Sequence, residues 1–134
     1  MPPEPDPGHR RHKRAHLRLS DVDLDELSRR LGEVAVLDVR RSTEYDGSQG
    51  SWCDPRQGHI PGARNLPVEE LIALDEPQIR ERIGLPEGAE VVVYCHSGSR
   101  SDIAAQVLRS LGYDARNYTG SWHEWSRTEL PLET

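Results

Sequence analysis

The chain has no phenylalanine, one methionine and only two cysteines among its 134 residues. Without Phe, three Trp and four Tyr must supply all the large aromatic area of a core. Two cysteines cannot build the disulfide framework of a small secreted scaffold. A reducing cytoplasm, which keeps a thiol usable, is the expected compartment. No apolar stretch approaches the length of a membrane span, and the N-terminus lacks the apolar region of a secretory signal, so no membrane partner is expected. No internal repeat is visible. Apolar residues are only 34% against 30% charged, so the core must come from a few concentrated runs. Basic charge is scarce beyond the first 18 residues: that segment carries +3, the rest −9, for a net −6. So acidic a body argues against nucleic-acid binding. Residues 1–16, rich in Pro, His and Arg, read as a disordered basic tail, which leaves 17–134 as one domain.

Several apolar runs stand out. Leu17 to Val22 reads as a first short strand. Asp23 and Glu26 have the spacing of a capping box, opening a helix to about Leu31 that Gly32 ends. Val34 to Val39 is a continuous apolar run of the kind buried on both faces of a parallel sheet. Arg40 to Gly58 reads as loop, with Tyr45 and Trp52 as its large apolar residues. Gly58 to Ala63 is a turn, Arg64 to Pro67 a short strand, and Pro67 to Leu74 a helix with Pro in its first turn. A further helix runs from Asp75 to Ile83, with Asp75 and Gln78 at capping spacing and Gly84 as stop. Val91 to Tyr94 is a strand. The helix after Cys95 reaches about Leu111, with Ile103, Ala104, Val107, Leu108 and Leu111 at helical spacing and Gly112 just beyond. Asp114 to Tyr118 gives a last strand and Trp122 to Trp125 a short terminal helix. Alternating strands and helices imply an α/β domain with a mainly parallel sheet.

The segment Val91-Val92-Val93-Tyr94-Cys95-His96-Ser97-Gly98-Ser99-Arg100-Ser101-Asp102 carries the chemistry. A thiol stands where a buried strand ends and a helix begins, separated from that helix by small residues. Helix N-termini present unpaired N–H groups and partial positive charge. A thiol placed there ionises more readily, and the thiolate is the nucleophile. The pattern describes an anion cradle with a reactive sulfur at its base.

Four separated segments then resemble the rhodanese family of sulfurtransferases, in the family's order. They are Leu37-Asp38-Val39-Arg40 with Glu44-Tyr45-Asp46-Gly47; Gly58-His59-Ile60-Pro61-Gly62-Ala63 with Asn65 and Pro67; Tyr94 to Ser101 with Ala104-Ala105; and Asn117 to Trp125. The last is most similar to the catalytic domains of thiosulfate and mercaptopyruvate sulfurtransferases. The resemblance runs from about Leu17 to Pro131. It implies a five-stranded, mainly parallel sheet with helices on both faces. It also implies that Cys95 takes a sulfane sulfur from a small donor such as thiosulfate, becomes a persulfide, and yields the sulfur to cyanide, a thiol or a protein cysteine. No metal or organic cofactor is implied.

Within this frame Cys95 is the expected catalytic residue, and His96, Ser97, Gly98, Ser99 and Arg100 form the persulfide- and substrate-binding loop. Ser97 and Ser99 are candidate hydroxyl donors, and Ser101 is expected to cap the helix. Arg100 either braces the loop against a carboxylate or adds charge to the site. Arg40 and Arg64 are candidate substrate ligands; Glu44 stands where the mercaptopyruvate branch has a second arginine. Asp38 and His59 are read as structural groups beside the site, and Trp122 and Trp125 as core. Cys53 is a loop residue or a resolving thiol for the Cys95 persulfide. A metal set from Cys53, His59, Cys95 and His96 is discounted, because its spacing does not resemble a closed zinc motif. Two other functions fit the same loop. A cysteine phosphatase or arsenate reductase also places Cys and Arg between strand and helix, but with five intervening residues, whereas only His96 to Ser99 intervene here. A persulfide carrier or binding module without useful turnover would keep the loop as it stands.

Overall fold

The structure, a computed structural model, describes residues 20–134. The basic tail, and the start of the strand expected from Leu17, lie outside these residues. Five strands form the sheet: β1 (Asp21–Val22), β2 (Ala35–Asp38), β3 (Arg64–Asn65), β4 (Glu90–Tyr94) and β5 (Asp114–Tyr118). Their order is β1-β5-β4-β2-β3, and all four pairings are parallel. From β2 the chain steps outward to β3, then returns to place β4 on the other side of β2. The direction of winding therefore reverses between β2 and β4, and such a crevice at the strand C-termini is where parallel sheets bind ligands.

Strand alternation divides the core in two. Val91, Val93 and Cys95 face one layer with Leu37, Val39 and Ala115. Val92 and Tyr94 face the other with Val36 and Tyr118. The first layer is covered by α3 (Val68–Ala73), α4 (Glu76–Ile83) and α5 (Ser99–Ser110), through Leu71, Ile79, Ile83, Ala104, Ala105 and Leu108. The second is covered by α1 (Leu24–Arg29) and α6 (Ser121–Trp125), through Leu27, Trp122 and Trp125. With no Phe to use, the second layer is filled by Trp122 and Trp125, each fully buried, while Trp52 is exposed.

Local signals set most element ends. The Asp23 carboxylate accepts from the Glu26 amide at 2.9 Å. Asp75 and Gln78 cap each other reciprocally, both bonds 2.9 Å. Two readings change. The stretch Arg40 to Gly58 is not all loop: α2 (Ser42–Tyr45) makes one helical turn there. Distant contacts hold it, because the Tyr45 hydroxyl donates to Ala63 O at 2.6 Å and its ring stacks on His59 at 3.7 Å. On α5 the buried face is Ser101, Ala104, Ala105 and Leu108, and Ile103 is 49% exposed. Small Ala side chains bring the helix close to the sheet, and Ile103 is turned outward.

Candidate active site

Cys95 directly follows β4, and its thiol is fully buried. Its sulfur is met from several directions. The Gly98 amide donates to Sγ at 3.1 Å, the Ser101 amide at 3.4 Å and the Ser101 hydroxyl at 3.3 Å. The Ser101 amide belongs to the first turn of α5, so the thiol sits at that helix's positive end. Burial alone raises a thiol pKa. Here the Ser101 hydroxyl and the amides of Ser101, Gly98 and Ser97 outweigh that effect and hold Cys95 below its ordinary value.

The loop needs its glycine. Gly98, the residue before α5, has φ of 101°. A Cβ there would stand 2.8 Å from Thr119 O, so only glycine fits without strain. Asn117 Nδ2 donates to Gly98 O at 3.2 Å. Helix α6 docks on the other side: Trp122 N donates to Cys95 O and His123 N to His96 O, both at 2.9 Å. Ser121 holds a left-handed φ of 54°, uncommon for a residue with a side chain. Its hydroxyl accepts from Cys95 N at 3.1 Å and donates to Tyr118 O at 2.9 Å.

Above the loop opens a polar cleft of about 360 Å³, lined by Arg41, Glu44, Ser51, Glu69, His96 and Arg100 among others. Arg100 takes the bracing role: its guanidinium donates to both oxygens of Glu44 at 2.9 and 3.2 Å. That bond outweighs burial and holds Arg100 above its ordinary pKa. His96 Nε2 approaches the buried Asp54 at 2.9 Å.

Several expected positions differ. Arg40 is not available to a substrate. It is 1% exposed and locked on Asp38, with Nη2 to Oδ2 at 2.7 Å and a further bond to Gly58 O at 2.7 Å. Its guanidinium lies 5.1 Å from the Trp122 ring. A buried charge needs such a partner set, and this one engages Nε and Nη2. Arg64 points to the opposite end of the sheet, donating to Ile83 O at 2.8 Å. Ser101 is not the helix cap, because Gly98 holds that position; its hydroxyl, rather than that of Ser97 or Ser99, reaches the sulfur. His59 pins the turn through Nδ1 to Tyr45 O at 2.8 Å. Cys53 and Cys95 are both free thiols. Sequence reasoning did not find Ser101 as a sulfur ligand, Ser121 as a loop brace, Glu44 as the partner of Arg100, or Asp54 beside His96. Only the spacing of Ser101, in the first turn after the loop, carried a signal.

Comparison with known proteins agrees with this architecture. The family model described as a rhodanese-like domain matches residues 23–128. The sulfur carrier protein TtuD of Thermus thermophilus is 38% identical over 115 residues, covering 70% of this chain and 39% of that protein. The thiosulfate:glutathione sulfurtransferase of Homo sapiens is 37% identical over 118 residues, covering 81% of this chain and 94% of that protein. A solved structure described as a probable thiosulfate sulfurtransferase superposes with a TM-score of 0.76 at 46% identity, covering 86% of this chain and 48% of that one. The chain thus spans less than half the length of the Thermus protein and of the solved chain. With the parallel sheet, the Cys95 loop at its switch point and a family match across most of its length, the chain belongs to the rhodanese-like domain family.

Proposed function

We propose that the chain is a sulfurtransferase that carries sulfane sulfur as a persulfide on Cys95. The observation that carries this reading is the convergence of three donors, from Gly98 and Ser101, within 3.4 Å of the buried Sγ. Hydrogen bonds to a charged acceptor contribute about 1.5–3 kcal/mol each, and fixed donors of this kind stabilise a sulfur anion without reorganising. The thiolate attacks the outer sulfur of thiosulfate, and sulfite leaves with the bonding electron pair. The terminal sulfur of the persulfide then bears the negative charge. A nucleophile such as cyanide or a thiol attacks that sulfur, and the Cys95 thiolate leaves. The cycle is redox-neutral and needs no cofactor. His96, at the cleft wall, and the amides from Ser97 to Ser101 receive the anionic donor. Arg100 shapes the cleft through Glu44 rather than clamping the donor. That pairing weighs against a phosphatase, which needs a free guanidinium on its anion. The need for a reduced thiol favours a cytoplasmic setting. The acidic body gives no basis for a nucleic-acid or membrane partner. One relative is named a sulfur carrier protein, which supports a protein cysteine as one acceptor class.

The test is direct. After incubation with thiosulfate, the Cys95 peptide gains the mass of one sulfur; cyanide then removes it as thiocyanate, and Cys95→Ser does neither. If neither thiosulfate, mercaptopyruvate nor a low-molecular-weight persulfide loads Cys95, the proposal is wrong. Running the first two donors side by side identifies the donor class.

A further inference from the structure

We infer that Cys53, Asp54, His96 and His123 form a zinc site beside the catalytic loop. This goes beyond sulfur transfer and does not depend on it. The four side chains come from three places in the chain: the loop after α2, the residue following Cys95, and α6. Their ligand atoms all lie within 4.8 Å of one another. Asp54 Oδ2 and His96 Nε2 are 2.9 Å apart, and Asp54 Oδ1 and His123 Nδ1 3.8 Å apart. Zinc bonds of about 2.0–2.3 Å put tetrahedral ligand atoms about 3.3–3.7 Å from each other, so the Asp54–His96 pair opens slightly and the widest separations, up to 4.8 Å, close by about 1 Å.

The second observation is an unmet polar demand. The Asp54 side chain is 0% exposed, and burying a carboxylate this completely is costly unless every oxygen is satisfied. Oδ1 is satisfied by Arg127 Nη1 at 3.0 Å. Oδ2 and His96 Nε2 face each other, yet both lack a hydrogen-bond partner of good geometry. Two buried atoms at this distance can share one cation lying to their side. Cys53 Sγ touches Ser51 Oγ at 3.1 Å and supplies the soft ligand. Arg127 Nη1 also stands 3.3 Å from His123 Nδ1. Metal binding releases that contact and keeps the Arg127–Asp54 bond as outer support. The loop is already fastened in place, since Arg56 Nη2 donates to Leu130 O at 2.8 Å and Trp122 Nε1 to Arg56 O at 3.0 Å.

One thiolate, one carboxylate and two imidazoles match a borderline-soft divalent ion with four protein ligands, as in structural zinc sites. Binding replaces the Cys53 thiol proton, which goes to solvent. The spacing that hides this set in the sequence is its split origin: Cys53 and Asp54 are adjacent, but both histidines lie far along the chain.

The experiment uses the full chain carrying Cys95→Ser, which leaves Cys53 as its only thiol. Equilibrium dialysis against Zn2+ is expected to give a thiol-dependent equivalent per chain. Co2+ is expected to give a thiolate charge-transfer band with tetrahedral ligand-field bands. The band requires sulfur, so His9, His12 and His16 of the tail cannot produce it. Adding Cys53→Ser should abolish the band, and adding His123→Gln should weaken binding by about tenfold or more. Both positions are solvent-accessible, so these variants should fold, which circular dichroism checks. Absence of the band in the Cys95→Ser chain, or a band indifferent to His123→Gln, overturns the assignment.

Discussion

Ser101 shows how much one hydroxyl can contribute at the residue scale. It donates to the Cys95 sulfur through both its amide and its side chain. Ser101→Ala keeps the amide and removes the hydroxyl. A hydrogen bond to a charged acceptor is worth about 1.5 kcal/mol or more, so thiosulfate:cyanide turnover should fall about tenfold. Turnover within twofold of the parent, in a variant with an unchanged thermal midpoint, would remove Ser101 from the machinery. Gly98→Ala tests the loop differently. Its φ of 101° and the 2.8 Å approach to Thr119 O leave a Cβ nowhere to go. The substitution should destabilise the domain by about 1–3 kcal/mol, read as a lower urea midpoint, together with poor sulfur loading. The residue type at Gly98 was legible in the sequence as part of a small-residue loop. The role of Ser101 was not, because a hydroxyl's direction depends on where the strand and helix meet.

Among the elements, α2 and the catalytic loop are coupled by one ion pair. Glu44 on α2 holds Arg100 on α5, and this bond lies in the wall of the cleft. Glu44 remains well ionised despite burial, since the Arg100 bond and the Arg41 amide lower its pKa. The cleft that receives an anion therefore contains a carboxylate. Glu44→Gln keeps the shape, removes that charge and frees the positive charge of Arg100 for the donor. The KM for thiosulfate should fall, by about threefold or more at low salt. An unchanged or higher KM would show that the pair only braces the loop. The Gly, Ser, Asp and Gln content of the stretch Arg40 to Gly58 reads as loop and hides α2. Four residues cannot sustain a helix from local propensity; Tyr45, stacked on His59 and bonded to Ala63, holds it from outside. The α5 face was misread by one position for a related reason. Periodicity admits either Ile103 or Ala105 on the buried side, and only the close helix–sheet distance selects Ala.

For the whole molecule, the end of the sheet away from Cys95 is tied by a charge network. Arg30 reaches Glu90 at 2.6 and 2.9 Å, and Arg116 reaches Glu26 at 2.6 Å and Glu90 at 3.1 Å. These bonds join α1 to β4 and β5. The Arg30 bonds, against burial and with help from Arg116, lower Glu90 to about 2. A carboxyl group lowered in this way adds stability above its unfolded pKa and loses it as pH falls through the folded value. Urea midpoints measured from about pH 6 down to about pH 2 should decline on the acid side, most steeply below about 4.5. Glu90→Gln should flatten that decline and lower the plateau. A parallel decline in both proteins would mean that other carboxylates govern it.

The sequence by itself determined the class of fold, the order of its strands and helices, the cysteine that ends β4, and the loop that follows it. These depend on local patterns: apolar runs, capping spacings, and a thiol set between strand and helix. Tertiary structure alone decided which charges remain available. Arg64 and Arg100 find Ile83 O and Glu44 across the fold, and Arg40, though only two residues from Asp38, is consumed because the core buries both. It also decided that Cys53 and Asp54 meet His96 and His123, since no spacing in the chain can report which loops a parallel sheet brings to one edge.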